Sequence, residues 1–257
     1  MLRMCRIEAS ATRANILRMK VPRVALTGMP DVAILADEQP VKNDPDYPAA
    51  KAGGAMAASR MVDRFINPRA IEQVRLLVDR RKPILLPVHA VEVAGINEIP
   101  VALAERIATD FGFDIDDSIV QDNTVGHTGA SGYQRLANPA LFSGNVKAGT
   151  EYLIIDDFIG QGGTAANLAG FVATHGGRVI GVTTLTGRAY SAKLCPEPSL
   201  IQAVRDKHGN DLETWWRQEF GYGYDCLTQS EARYLERSPD ADTIRKRMVA
   251  ARQGAGN

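Results

Sequence analysis

Residues 152–164 read Tyr-Leu-Ile-Ile-Asp-Asp-Phe-Ile-Gly-Gln-Gly-Gly-Thr, and they constrain the fold more than any other segment. An apolar run ends in two adjacent carboxylates, Asp156 and Asp157, a glycine-rich turn follows, and Thr164 opens an amphipathic stretch. The run Tyr152–Ile155 suits a strand buried on both faces of a parallel sheet. Beyond the turn, Leu168, Phe171, Val172 and His175 recur at helical spacing, and Gly176-Gly177 supplies a helix stop. The order is strand, acidic tip, glycine loop, helix N-terminus. Bare amides and a positive dipole end at such a point suit a phosphate. Two carboxylates beside it would repel that phosphate unless they face sugar hydroxyls or a metal ion, and a phosphorylated sugar offers both partners. No Gly-Lys-Ser/Thr follows the glycines, so the turn is not a P-loop, and Gly160-x-Gly162-Gly163 lacks the dinucleotide spacing.

Two more apolar runs, Pro83–Val88 and Arg178–Leu185, read as strands on either side of this unit. Helical patterns separate them. From Met56, Ala58, Met61, Val62 and Phe65 share a face. Asn67-Pro68 restarts a helix lined by Ile71, Val74 and Val78. Asn97 to Phe111 turns Ile99, Leu103 and Ile107 inward and stops at Gly112. Alternating strands and helices predict a parallel sheet covered on both faces, with ligands beyond the strand C-termini. Val24–Thr27 and Val32–Ala36 read as short strands, and Gln39–Pro48, His89–Ile96 and the aperiodic Val120–Glu151 as loops. The C-terminal third is helical. Asp211 leads Leu212, Trp215, Trp216 and Phe220, a tryptophan pair that either packs in a core or stacks a planar ligand. Thr228-x-x-Glu231 is a capping box for a helix through Leu235, and Ser238-Pro239 starts a last helix with Arg245, Lys246 and Arg247 late in it.

Thirty acidic side chains balance thirty basic ones among 257 residues, so no global field recruits nucleic acid or an anionic membrane, and any phosphate site is local. Cys5, Cys195 and Cys226 are far apart and show no metal spacing. With no apolar leader or span in view, a soluble, reduced, cytoplasmic protein is expected.

The segment Tyr152–Thr164 closely resembles the phosphoribosyl-pyrophosphate (PRPP) signature of type I phosphoribosyltransferases: four apolar residues, two acids, two apolar residues, then a Thr/Gly-rich turn. Pro87-Val-His89 with Gly95-Ile-Asn97 looks like the pyrophosphate loop of the competence-associated subgroup of that family. The stretch between them, Ala90-Val-Glu-Val-Ala94, stands where the subgroup carries arginines. The resemblance covers roughly Pro83 to Arg188 and, less closely, Asp46 to Phe65. It implies an α/β fold, a parallel twisted sheet flanked by helices on both faces, with a small hood from the terminal segments. The corresponding division is 1–66, 67–190 and 191–257.

The resemblance also implies roles. Asp156 and Asp157 would contact the ribose hydroxyls or the Mg²⁺ that accompanies them, and Gly160, Gln161, Gly162, Gly163 and Thr164 would hold the 5′-phosphate. Val88 and His89 would meet pyrophosphate. The segment from Val120 to Glu151, with Gly126, His127, Gly129, Gly132 and Gly144, would be a lid from which Arg135 neutralises pyrophosphate. Taken alone, His89 reads equally as a structural histidine and Arg135 as a surface cation. The implied activity is Mg²⁺-dependent transfer of ribose 5-phosphate from PRPP to a nucleobase-like acceptor by a homodimeric enzyme that touches neither membrane nor nucleic acid. The other reading is a PRPP- or nucleotide-binding regulatory protein linked to DNA uptake, defence or mobile elements.

Overall fold

The computed structural model describes residues 21–92, 95–123 and 131–254. Val24–Thr27 forms no strand, and the next expected strand shrinks to β1 (Ala33–Ile34). The expected loop Gln39–Pro48 is largely helical. It holds α1 (Glu38–Lys42) and the start of α2 (Tyr47–Lys51), each with a proline in its first two turns, where a missing N–H costs nothing. Then come α3 (Ala55–Phe65) and α4 (Pro68–Val78), the latter capped by Asn67, whose side chain accepts from the Ala70 amide at 3.0 Å.

The strand β2 (Ile84–Pro87) leads into a small antiparallel ladder of β3 (Val91–Glu92) and β4 (Gly95–Ile96), where a plain loop was expected. After α5 (Ile99–Phe111), Gly112 adopts the left-handed conformation that ends a helix, φ 69°. The stretch from Val120 to Glu151 is not a bare loop. Within it, β5 (Val120–Gln121) pairs with β6 (Phe142–Ser143), and α6 (Gly132–Ala137) starts at a Ser131/Gln134 capping box. Gly126, His127 and Gly129 lie outside the described residues.

The unit β7 (Glu151–Ile159), α7 (Gly163–Thr174) and β8 (Arg178–Gly187) forms the centre of a wholly parallel sheet of order β1-β8-β7-β2. Residues 114–116 and 120–121 continue the sheet beside β2 in broken form through bridges at Leu85 and His89. Alternate side chains of β7 enter two different cores. Leu153 and Ile155 join Leu85 and Leu185 under α3, α4 and α5, whereas Tyr152 and Ile154 join Leu86 and Val182 under α7. Helices therefore cover both faces, and the α/β architecture read from the sequence holds.

A third core belongs to the C-terminal helices α8 (Pro198–Phe220), α9 (Gln229–Glu236) and α10 (Ala241–Gly254). The start of α10 lies beyond Ser238-Pro239, and Asp240 receives the Thr243 amide at 2.7 Å. Trp216 is fully buried against Phe220, ring centroids 4.4 Å apart, so this tryptophan packs the core instead of offering a stacking face. Tyr133, Leu136 and Ala137 of α6 are buried in the same core.

One buried ion pair ties this core to the sheet. Arg23 grips both oxygens of Glu231 at 2.5 and 2.8 Å, each side chain only 3% exposed. Arg23 also reaches Asn167 of α7 at 2.6 Å, and Glu231 caps α9 by accepting from the Thr228 amide at 2.9 Å. Deleting one partner leaves an unpaired buried charge, which typically costs about 3–5 kcal/mol. Glu231→Gln should lower unfolding free energy by about that amount in denaturant melts. Combining it with Arg23→Met should cost clearly less than the two single losses added together. A single-variant change under about 1 kcal/mol would show that the pair is dispensable.

Candidate functional site

The two carboxylates do not sit at a strand tip as the sequence suggested. Both lie inside β7, which runs on to Ile159 because β8 offers partners as far as Gly187: Asp156 pairs in register with Thr184, and Phe158 with Thr186. Threonines favour this extension by their β-branching. Two of them also fasten the far side, the Thr183 and Thr186 hydroxyls donating to the carbonyls of Ala33 and Ala36 at 2.9 and 2.8 Å.

Asp156 is 8% exposed and accepts the Asp157 amide at 2.8 Å. Burial first, and the neighbouring Asp157 charge second, hold the Asp156 carboxyl well above the usual carboxylate range, with Lys51 pulling weakly the other way. Asp157 is half-buried and takes the Lys51 ammonium at 2.9 Å from the end of α2. The pair is thus one carboxyl that favours its proton beside one carboxylate already neutralised. Lys51 was missed in the sequence reading. The signal for it was Asp46-Tyr47-Pro48, a first-turn proline that announces a helix. The helix is anchored by Arg60 and Arg64, which bind Asp46 at 2.6 and 2.7 Å, while Arg64 also grips Asp44 at 2.6 Å.

Beside this pair, the Val88 amide donates to the Ile155 carbonyl at 2.8 Å, which brings His89 to the C-terminal end of the sheet. The His89 carbonyl accepts from the Gln121 amide at 2.9 Å, and its buried Nδ1 has no hydrogen-bond partner among the described residues. The loop it opens closes where the Asn97 amide donates to Ala90. Gly95, at φ 137°, packs against α2's end so tightly that a Cβ would lie 2.9 Å from the Ala52 carbonyl.

The glycine turn follows. Gly162 is left-handed (φ 80°) and forms the N-cap of α7, whose first turn, including Gly163 and Thr164, has no side-chain cap. Among the described residues no side chain caps these amides, which suits an anion. The turn is held from behind by the C-terminal helices. The Thr228 hydroxyl donates to the Gln161 carbonyl at 2.5 Å, and a Cβ on Gly162 would strike Leu194 at 2.5 Å. The Gln161 side-chain oxygen is buried and unpartnered. Arg135 projects from α6, and its Nη1 would lie 2.8 Å from a Cβ built on Gly160.

No family model matches the chain. Among curated proteins it is similar to protein TraN of Escherichia coli, 38% identical over 228 residues, covering 89% of this chain and 51% of TraN. An uncharacterized Haemophilus influenzae protein is 35% identical over 143 residues, 56% of this chain and 32% of that protein. The chain thus spans about half the length, or less, of these relatives. Solved structures that it resembles include adenine phosphoribosyltransferase of Thermoanaerobacter pseudethanolicus, with 16% identity and TM-score 0.34 over 54% of this chain and 75% of that one. Leishmania donovani UMP synthase has 13% identity and TM-score 0.32 over 75% of this chain and 35% of that one. No helix among the described residues is long and apolar enough to cross a membrane.

Because Asp156 binds its proton more tightly when folded than when unfolded, its contribution to stability is full below the ordinary carboxylate range and is lost as pH rises through its raised value. Asp156→Asn removes that loss. Its melting temperature should match wild type near pH ~4 and exceed it increasingly toward pH ~8. A difference constant across that range would show that Asp156 is not held protonated.

Proposed function

We propose that this chain binds PRPP at the C-terminal end of its sheet and transfers the ribose 5-phosphate group to a nucleobase-like acceptor, releasing pyrophosphate. The observation that carries the reading is the sequence of parts along one unit: two adjacent carboxylates in the second half of β7, a glycine turn with no side-chain cap, and the N-terminus of α7. The acids suit the ribose hydroxyls, and the free amides suit the 5′-phosphate.

In this reaction the bond from the anomeric carbon to pyrophosphate breaks and a bond from that carbon to an acceptor nitrogen forms. The protein's part is to position the groups and to stabilise leaving-group charge. Gly160–Thr164 fixes the phosphate, Asp156 and Asp157 orient the ring, and the His89–Asn97 loop faces the pyrophosphate side, where the unpartnered His89 Nδ1 offers a polar contact. The described residues hold no cluster of three or more metal-ligating side chains. Two carboxylates do fit Mg²⁺, which takes one or two from the protein and the rest of its oxygens from substrate phosphates and water. Asp156 and Asp157 would hold it, and it would supply charge neutralisation of the pyrophosphate. Residues 191–257 would supply the hood that selects the acceptor; of residues 1–66, the first twenty lie outside the described residues, and β1 and α3 belong to the sheet and its covering layer.

A second reading, a PRPP-binding regulatory protein without turnover, has its own support: Lys51 already occupies Asp157, and residues 90–94 carry no cation for pyrophosphate. Calorimetry with PRPP and Mg²⁺, followed by pyrophosphate release with a panel of bases, separates the two. Wild type should bind. The double variant Asp156→Asn with Asp157→Asn should stay folded and bind at least ~100-fold more weakly, the scale of two charge-assisted contacts. Release with any base establishes the transferase, and binding without release establishes the regulator. Undiminished binding by the double variant would remove the carboxylates from the site.

A further inference from the structure

A planar base gains most from an aromatic face, and few of the aromatic rings in this chain are spare. Six of the seven phenylalanines pack in or against the three cores, and so do both tryptophans. Phe158 does not. It is half-buried, directly follows Asp157, and pairs in register with Thr186 near the C-terminal end of the sheet. The turn begins two residues on, where a Cβ built on Gly160 would lie 3.5 Å from the Phe158 ring. The ring is thus contiguous with the acidic pair on one side and the glycine turn on the other, the two parts that suit the ribose hydroxyls and the 5′-phosphate. A large aromatic side chain placed outside every core forgoes the burial that usually stabilises it. Tyr190 is also outside the cores, but it lies beyond β8 and its hydroxyl accepts from Arg188 at 2.7 Å.

The Phe158 face carries a cation. The Lys42 ammonium of α1 lies 4.4 Å from the ring centroid, and Glu38, one turn earlier on the same helix, pairs with that ammonium at 2.5 Å. Both side chains are solvent-accessible, 38% and 29% exposed. An exposed ammonium over a phenyl ring is worth only ~2- to 5-fold in an equilibrium. Stacking of a base on an aromatic ring is worth ~5- to 150-fold. A base therefore outcompetes Lys42 for the ring, and Lys42 keeps Glu38 as its partner.

Resting on the PRPP reading, we infer that Phe158 is the platform on which the acceptor base stacks, in exchange for the Lys42 ammonium. This narrows the acceptor class. A ring face recognises aromaticity and not a donor/acceptor pattern, so purines and pyrimidines both qualify, whereas ammonia and aliphatic amines do not.

The test is calorimetry of wild type, Phe158→Ala, Phe158→Tyr and Lys42→Ala against ribose 5-phosphate, inosine 5′-monophosphate and uridine 5′-monophosphate. The sugar phosphate reports the ribose and phosphate contacts alone, and the two nucleotides add a base. Wild type should bind both nucleotides ~10-fold or more tighter than ribose 5-phosphate. Phe158→Ala should remove that gain, a loss of ~5- to 100-fold, with ribose 5-phosphate affinity unchanged. Phe158→Tyr should restore the gain, and Lys42→Ala should tighten both nucleotides ~2- to 5-fold. Equal binding of nucleotides and sugar phosphate by wild type, or a gain that survives in Phe158→Ala, overturns the inference and leaves the PRPP reading standing. An equal loss for all three ligands in Phe158→Ala also overturns it, because the ring would then be only structural. Failure of wild type to bind PRPP or any of the three ligands overturns both.

Discussion

Two carboxylates forced side by side in the interior of a parallel sheet set the terms for everything around them. At the low effective dielectric of that position both cannot be charged without a compensating partner. Asp156 answers with a greater affinity for its proton, and Asp157 by taking Lys51. The second answer requires α2, and α2 in turn requires its anchors, Arg60 and Arg64 on Asp44 and Asp46. A pair arranged in this way is poised, since a ligand offering hydroxyls and a cation replaces a proton and a lysine without changing the balance of charge.

The turn that follows is shaped by distant sequence. Gly162 must be left-handed and close to Leu194, and the Gln161 carbonyl is pinned by Thr228. Thr228 is at once the cap of α9 and the partner of Glu231, which locks Arg23 beneath α7. An acid and a base of equal charge therefore meet beside the turn, leaving the α7 dipole to set its field. This links the C-terminal helices to the glycine turn directly and gives those 60 or so residues a role beyond packing.

Much of this was legible in the sequence, for stated reasons. The strand–turn–helix unit showed because a four-residue apolar run, adjacent acids and three glycines are local signals. The Thr228 and Asn67 caps showed because capping chemistry lies within four residues. What stayed hidden depended on partners far along the chain. The acids entered the strand only because β8 offers partners as far as Gly187, and Lys51 meets Asp157 across 106 positions. Short α1 and the first residues of α2 fall in Gln39–Pro48, a proline-rich segment read as loop although its prolines Pro40 and Pro48 occupy helix first turns. Short α6 stayed hidden in the aperiodic stretch Val120–Glu151, although Ser131-x-x-Gln134 was a readable start signal.

The central claim is that a sugar phosphate sits between the aspartate pair and the free amides of α7. Amide chemical-shift mapping with ribose 5-phosphate tests it most directly. The largest shifts should fall on Gly160, Gly162, Gly163 and Thr164, with Asp156 and Asp157 next. Shifts confined to the opposite end of the sheet, in the cleft between residues 24–30, α4 and the start of β8, would contradict it.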